Sequence, residues 1–473
     1  MAANRKIPVA VPPSGCTLRT RSSRVTRDRT ADPDSILLMT KRTRIQLGLA
    51  IASAMPAGVF AQGSPDYEQP PVAYSATAPA DALAALQGRI VSGELPFAGG
   101  EKEALQTLLA ALGVPVESQM LVFSRTSLQR GRIRPERPRA LYFSDSVYVG
   151  WVPGGLMEVA AVDPQLGPVF YSLEAGEMKT VPPKIVRDTD CLRCHGGTFV
   201  RDIPGVFARS VFPDAGGDPL LRHGTMLVDD ETPFAQRWGG WYVTGYRGRE
   251  PHRGNAFARE QGDQLVFTPA GARPDELSAF FETASYLRPT SDVVALLVFE
   301  HQMAVQNSLT KAAFAARRMT AYQHGLQATF KEPVSDEPAY DSVKSVFASA
   351  VQEVVDRLLF RGAAPLPEGI VAGGEFEKMF ARAAPRSQGG HSLKDLRLRD
   401  QLFAQRCSHL IYSESFRALP ETLRGRILDR LHAALVSRDP QDRYAYLPAA
   451  EKARILEILT ETHPDARARW RAK

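Results

Sequence analysis

The sequence predicts an α+β protein, with an antiparallel β-rich region over residues 119–272 and a mainly helical lobe over residues 273–473. Short runs of β-branched and aromatic residues, separated by Gly, Pro and Asp, are typical of the first region. The second region carries apolar residues three and four positions apart over long segments, as amphipathic helices do. The two patterns follow one another along the chain instead of alternating. We therefore expect a β-rich part with helices packed against it, and no series of βαβ units.

The first 61 residues are predicted to lie outside the folded protein. Residues 1–38 are rich in Pro, Ser, Thr and Arg and lack apolar periodicity, so we interpret them as a non-native or disordered extension before a true start at Met39. Residues 39–61 combine basic residues, an apolar stretch and a small-residue cleavage position, which indicates a Sec-type signal peptide. This predicts export, to the periplasm in a Gram-negative cell, with no stable membrane span after cleavage.

The positive charge of the chain is concentrated near its beginning. The formal net charge is +6, but residues 1–44 hold ten basic and three acidic side chains, which leaves −1 for the remainder. The mature protein therefore has no excess of basic residues with which to bind nucleic acid or an acidic membrane surface.

Each element of the mature chain is predicted from its local pattern. Residues 62–118 are expected to form a Pro- and Ala-rich linker up to about residue 80, and then two short helices. Strands are expected at 120–124, 140–143, 147–151, 156–162, 169–173, 205–212 and 238–245. Helices are expected at 79–91, 100–112, 291–318, 340–361, 392–412, 421–437 and 449–460. The consecutive strands, joined by short breakers, predict an antiparallel meander.

One segment inside the β-rich region, Cys191-Leu192-Arg193-Cys194-His195, has a specific chemical pattern. Two thiols three positions apart can each add to one vinyl group of a haem, and the histidine that follows can supply an axial nitrogen to the iron. The segment uses two of the four cysteines and one of the nine histidines of the chain, so chance rarely assembles it. It predicts one covalently bound haem c per chain, with His195 as the proximal iron ligand.

Three other uses of a C-x-x-C pair are weaker here. A zinc site normally needs a second pair of Cys or His ligands, but Cys16 and Cys407 each stand alone. A redox dithiol is typical of a strand–helix junction in a βαβ unit, which the surrounding residues do not predict. A structural disulfide is the third alternative. Once a haem takes two thiols, Cys407 is the one left in the mature chain, and we interpret it as a small buried residue in a helix.

The opposite side of the iron takes a second ligand or none, and the sequence offers two histidines for it. His252 lies in a polar loop, where it either reaches over a haem face or is simply solvated. His301 lies on a very apolar helix, where it either binds iron or hydrogen-bonds a backbone carbonyl. Met226 and Met303 are further candidates, although core packing is the commoner role of such methionines. The sequence does not choose between His252 and His301.

Other side chains are candidates to bind the haem carboxylates or to pack against its face. A guanidinium matches a carboxylate in a bidentate manner, and each candidate is otherwise an ordinary surface group. These candidates are His223, Arg193, Arg222 and Arg237. The segment 238–242 places aromatic rings beside two glycines, which suits either a porphyrin or a sheet core. The acidic run 229–231 either holds a cation or acts in acid–base chemistry, but a turn before a helix cap is the simpler interpretation.

Several segments of the chain carry a resemblance to known proteins, namely 123–130, 139–151, 190–196, 237–245, 252–255 and 300–302. In these segments the chain resembles a group of exported bacterial proteins described as cytochrome c domain-containing. The resemblance extends over about residues 120–415. It implies a single covalent haem, a location outside the cytoplasm, and His252 and His301 as ligand candidates, but no known reaction. Arg247 stands where a further histidine is expected in that group, so this position supplies no ligand.

Two functions from different classes follow from these observations. The first is a monohaem c-type cytochrome that exchanges electrons with a periplasmic redox partner protein, its potential set by the second ligand and by burial. The alternative is a haem-dependent oxidoreductase or a gas or redox sensor with an open or displaceable sixth iron position. The length of the mature chain favours this alternative, because an electron carrier alone needs far fewer residues. A third interpretation is a subunit of a larger respiratory complex.

Overall fold

The computed structural model describes residues 65–95, 97, 99–174, 184–262, 264–269, 271–382 and 384–471. The predicted extension and signal peptide lie outside these residues. The described part is α+β, as predicted, with the large antiparallel sheet in its first half and the long helices in its second half. No helix in this part of the chain is both long and apolar enough to cross a membrane.

The strands and helices are numbered here in chain order. The strands are β1 (Met120–Val122), β2 (Arg139–Phe143), β3 (Val147–Trp151), β4 (Leu156–Asp163), β5 (Gly167–Glu174), β6 (Ile185–Arg187), β7 (Ala208–Ser210), β8 (Met226–Val228), β9 (Trp241–Tyr242), β10 (Phe257–Gln261), β11 (Gln264–Thr268), β12 (Leu396–Arg399) and β13 (Gln401–Phe403). The helices are α1 (Ala82–Val91), α2 (Glu101–Ala111), α3 (Leu192–His195), α4 (Val293–Phe330), α5 (Asp341–Leu358), α6 (Glu375–Arg382), α7 (Glu414–Arg417), α8 (Glu421–Val436), α9 (Ala449–Thr462) and α10 (Pro464–Arg471).

A seven-stranded antiparallel sheet forms the centre of the β-rich region. Its strand order is β6-β5-β4-β3-β2-β1-β9, so β1 to β6 form a meander and β9 pairs with β1 at the edge. The predicted meander is confirmed. The strands β7 and β8 pair separately, as do β10 and β11, a hairpin that the sequence pattern does not predict.

The two faces of this sheet meet different partners, because successive side chains along a strand point to opposite sides. One face, which includes Val149 and Val159, packs in the same apolar cluster as α1 and α2. The second face includes Tyr148 and Phe170 and packs against residues 293–303 of α4. Phe299 of α4, for example, has its ring centroid 5.8 Å from that of Tyr148.

Most buried residues of helix α4 belong to two apolar clusters, and Phe314 belongs to the cluster of α1 and α2. The carboxylate of Asp292 accepts hydrogen bonds from the amides of Val294 and Ala295, which fixes the start of the helix. Residues 293–303 of α4 pack on the second face of the sheet. The next segment, which includes Val305 and Leu309, packs with α5, α8 and α9 in the helical lobe. One continuous helix thus joins the sheet to the lobe.

Residues 392–412 do not form the helix that the sequence pattern predicts. The strands β12 and β13 pair as a short hairpin instead. Leu396 and Leu398 alternate with charged residues, which is a period of two, and the φ angles of Leu398 and Asp400 are 53° and 60°, outside the helical range. Cys407, which follows this hairpin, is buried as predicted, but it lies outside any helix.

Residues 65–80, predicted to be a linker, pack against the sheet. The side chains of Tyr67, Val72 and Tyr74 are buried in the same apolar cluster as α1 and α2. Arg187 of β6 donates hydrogen bonds to two backbone carbonyls of this segment. Three buried side chains therefore anchor this segment to the sheet, although its Pro- and Ala-rich composition is typical of a linker.

Candidate haem-attachment site

The C-x-x-C-H segment forms a single helical turn next to the second face of the sheet. Helix α3 begins directly after Cys191, whose own backbone is helical (φ −57°, ψ −32°). Residues three positions apart on a helix share one face. Cys191 and Cys194 therefore present their side chains to the same side. Both thiols are free, with Cys191 half-buried and Cys194 exposed.

The imidazole of His195 is oriented by the backbone of Gly205. His195 Nδ1 lies 2.9 Å from the Gly205 carbonyl oxygen. Because a carbonyl only accepts, Nδ1 carries the proton and Nε2 keeps its lone pair. The rings of Phe170 and Phe207 flank the imidazole, with centroids 4.9 and 4.6 Å away. Burial lowers the pKa of His195 to about 4, so the ring is neutral at neutral pH. Metal-binding histidines are commonly fixed in this manner.

The surroundings of Cys191 differ from those of a reactive dithiol. Burial, followed by the charges of Asp188 and Glu158, raises the pKa of the Cys191 thiol to about 12. The nucleophilic cysteine of a redox C-x-x-C pair has a lowered pKa instead. A zinc site would need further ligands. Within the described residues, no group of three or more His, Cys, Asp or Glu side chains is placed to hold a metal ion.

Both ring nitrogens of His301 are already engaged. Nδ1 lies 2.8 Å from Asp230 Oδ2, and Nε2 lies 2.8 Å from Ser408 Oγ. The Asp230 carboxylate accepts a hydrogen bond from Nδ1, and Nε2 shares a hydrogen bond with the Ser408 hydroxyl group. The ring of Phe360 stacks on the imidazole at a centroid distance of 3.8 Å. In this arrangement His301 has no free nitrogen for an iron, so the geometry favours a buried structural histidine. Its hydrogen-bond partners are side chains and not the backbone carbonyl that the sequence suggested.

His252 keeps one ring nitrogen without a hydrogen-bond partner among the described residues. Its Nδ1 accepts a hydrogen bond of 3.1 Å from the Gly254 amide. The imidazole packs among the rings of Phe234, Trp238 and Tyr246, at centroid distances of 5.3 to 6.0 Å. Burial lowers the pKa of His252 to about 4. The loop around His252 is therefore packed, although its sequence is polar. Neither His252 nor His301 makes a ring contact with the imidazole of the attachment segment in the part of the chain that the structure describes.

Among the candidate methionine ligands, Met303 lies near the attachment segment. It is buried and lines a cavity of about 130 Å³. Phe199 and Phe207 line the same cavity, and Phe207 packs against His195. Met226 lies half-buried in β8, where its backbone pairs with β7.

Three of the side chains predicted to bind the haem carboxylates are engaged elsewhere. Arg237 is buried, and its three nitrogens donate to Glu300 and to two backbone carbonyls. Arg222 and His223 both contact Glu260. Sequence reasoning does not distinguish these arginines from free surface groups, because their acidic partners lie far along the chain.

The segment 238–242 belongs to the protein core. Trp238 Nε1 donates to Glu300 Oε1 at 2.6 Å, and Trp241 Nε1 donates to a backbone carbonyl at 2.8 Å. A side chain at Gly239 would collide with the backbone of Val211, so the glycine permits this close approach. Of the two interpretations of this segment, the geometry favours the sheet core.

The acidic run 229–231 surrounds one arginine of the helical lobe. Arg357 Nη1 lies 3.3 Å from Asp229, 3.4 Å from Asp230 and 2.8 Å from Glu231. Burial alone would raise the pKa of Asp230, but the hydrogen bond from His301 and the nearby cations hold it below its ordinary value. The run forms the turn that the sequence suggests, closed by the hydrogen bond from the Thr232 amide to the Asp229 carbonyl, and its carboxylates also hold an arginine.

The pair of Glu300 and Arg237 predicts a pH dependence of stability. Burial raises the pKa of Glu300 from 4.5 to about 7. Between these values the folded protein holds a proton that the unfolded chain has released, so the free energy of unfolding falls as pH rises. In Glu300→Gln this titration is absent, and the fall is expected to be smaller. Urea unfolding of both proteins across this pH range measures the difference, and equal slopes would contradict the assignment.

Comparison with known proteins finds no family model, no curated protein and no solved structure that matches this chain. Its function is therefore argued from the residues of the site.

Proposed function

We propose that the protein is an exported monohaem c-type cytochrome, which transfers electrons through one haem bound covalently at Cys191 and Cys194. The support is the C-x-x-C-H segment itself and the geometry around it, with both cysteines on one helical turn. The observation that carries the proposal is the hydrogen bond between His195 and Gly205. It leaves Nε2 of His195 with the lone pair that an axial ligand requires.

The residues of the site have separate roles in this proposal. Each thiol adds across one vinyl group, so a carbon–sulfur bond forms and the thiol hydrogen moves to the other vinyl carbon. His195 supplies the axial nitrogen, and Phe170 and Phe207 hold the plane of its ring. When bound, the haem supplies a centre that gains and loses one electron, at a potential set by its ligands and burial. A periplasmic redox partner protein belongs to the same proposal.

Replacing Cys191 and Cys194 together by alanine is expected to abolish covalent haem attachment. Each single variant is expected to keep one thioether bond and to yield less holoprotein. The matched control is Cys407→Ala. Cys407 is buried in the apolar cluster of the helical lobe, whereas Cys191 packs against a different cluster. Mass spectrometry of the denatured proteins, expressed with the haem-attachment machinery, measures the bound haem. A wild-type protein without added haem mass would overturn the proposal.

A second candidate function is a haem enzyme or a gas or redox sensor with an open or displaceable sixth iron position. The observation that favours it is the engagement of both ring nitrogens of His301 by Asp230 and Ser408. One of the two histidines that could close the sixth position is thereby removed. The reduced absorption spectrum with and without carbon monoxide separates the two functions. An unchanged low-spin spectrum supports electron transfer, whereas rapid binding of carbon monoxide supports the alternative.

A further inference from the structure

A half-buried ion pair lies beside the attachment segment on the second face of the sheet. Arg139 on β2 and Glu158 on β4 approach one another across Gly150 of β3, which pairs directly with Glu158. The register of β4 and β5 makes Glu158 a diagonal neighbour of Phe170 on the same face. Phe170 in turn packs against the imidazole of His195. The ion pair is therefore one side chain away from the proximal ligand.

Arg139 has few partners for a side chain that is only 19% exposed. Its Nη2 lies 2.5 Å from Glu158 Oε2. However, Arg139 Nε makes no hydrogen bond, and the contact with Oε2 does not have hydrogen-bond geometry. By comparison, Arg237 donates hydrogen bonds through all three of its nitrogens. Buried polar atoms of native proteins nearly always have a partner, so the unpartnered Nε indicates that the protein alone does not fully engage this guanidinium.

Gly150 makes room for the guanidinium of Arg139. A Cβ at position 150 would collide with three atoms of the guanidinium group, which are Nη2, Cζ and Nε of Arg139. The guanidinium therefore lies against the bare backbone of β3. This placement holds its planar group at the sheet surface next to the attachment segment, where Cys191 also senses the charges of Glu158 and Arg139.

We propose that Arg139 binds a propionate carboxylate of the haem attached at Cys191 and Cys194, an inference that rests on the proposed function. A guanidinium carries five N–H donors in a planar fork, so it can hold Glu158 through one nitrogen and a second carboxylate through the others. Glu158 acts as a positioning residue that keeps the fork in place. The propionate has the negative charge and the acceptor oxygens that a guanidinium binds.

Arg193 is a weaker candidate for the same role. Its side chain is 78% exposed, and its contact with Asp190 is 3.6 Å long between two exposed groups. An exposed flexible side chain loses more conformational freedom on binding than one that is already held by a neighbour. Arg139 is therefore the better-organised site for a carboxylate.

The test compares Arg139→Gln with the wild type as full-length haem-loaded proteins. Loss of the positive charge near the iron disfavours the added electron, so the midpoint potential is expected to fall. The resonance Raman bending bands of the propionates are expected to shift as well. Arg139→Lys keeps the charge but loses the fork, so its potential is expected to lie closer to that of the wild type while the Raman shift persists.

The matched control is Arg426→Gln, which removes one exposed cation from α8, where it pairs with Glu337. It is expected to leave both readouts unchanged. Thermal unfolding establishes that each variant is folded, and Arg139→Lys carries the test if the Gln variant does not fold. Unchanged Raman bands and potential in a folded Arg139 variant would overturn this inference alone. A wild-type protein without haem would instead overturn the proposed function.

Discussion

A protein in which alanine replaces His195 is expected to keep its haem covalently attached and to bind the iron through one ligand fewer. In the proposed function, the thioether bonds depend on Cys191 and Cys194, whereas the axial nitrogen comes from the imidazole alone. The hydrogen bond to Gly205 prepares only that nitrogen, and the flanking rings of the site offer no substitute donor. We therefore expect a change of the reduced spectrum from low spin towards high spin.

Absorption spectroscopy of the purified reduced protein, before and after addition of carbon monoxide, measures this change. The matched control is His391→Ala, which removes a half-exposed histidine from a loop of the C-terminal half. Its spectrum is expected to equal that of the wild type. If the wild-type protein is low spin and His195→Ala retains that spin state, the assignment of His195 as the proximal ligand is wrong.

The largest loss of stability is expected from Arg237→Ala. Arg237 and Glu300 are 2% and 1% exposed, and their charged atoms are 2.7 Å apart. Without the guanidinium, the Glu300 carboxyl keeps only the hydrogen bond from Trp238, and two backbone carbonyls lose their donor. Removing one partner of a buried ion pair costs about 3–5 kcal/mol. The free energy of unfolding is expected to fall by about that amount.

Urea unfolding followed by circular dichroism measures this loss. The control is Arg426→Ala, whose partner Glu337 is 66% exposed. An exposed pair contributes about 1 kcal/mol or less, so this variant is expected to be almost as stable as the wild type. Similar losses in the two variants would show that burial does not decide the strength of the Arg237 pair.

Local patterns predict much of the fold because the forces that they express act over few residues. The strands β2 to β5 and the helices α1 and α2 follow directly from alternation, helical spacing and breakers. The same reasoning fails at residues 392–412, where short apolar spacings fit both a helix and a hairpin. It also fails at residues 65–80, where a few aromatic anchors decide the packing and the average composition does not.

The attachment segment can be read from the sequence because its three reactive residues are nearly contiguous. The surroundings of His301 cannot, since Asp230 and Ser408 lie 71 and 107 positions away. The same holds for Arg139, whose contact with Glu158 depends on the register of three strands. A sequence motif identifies the reactive atoms. The tertiary structure determines which other side chains are available to bind the same group.

The sharing of helix α4 between two apolar clusters has a consequence for how the protein melts. Unfolding of either cluster removes the packing contacts of one segment of this helix. We therefore expect melting of the sheet and melting of the helical lobe to be coupled. The absorbance of a bound haem and the far-ultraviolet signal of the helices should accordingly follow a single curve on heating. A disturbance next to His195 then lowers the melting temperature of helices that never touch it.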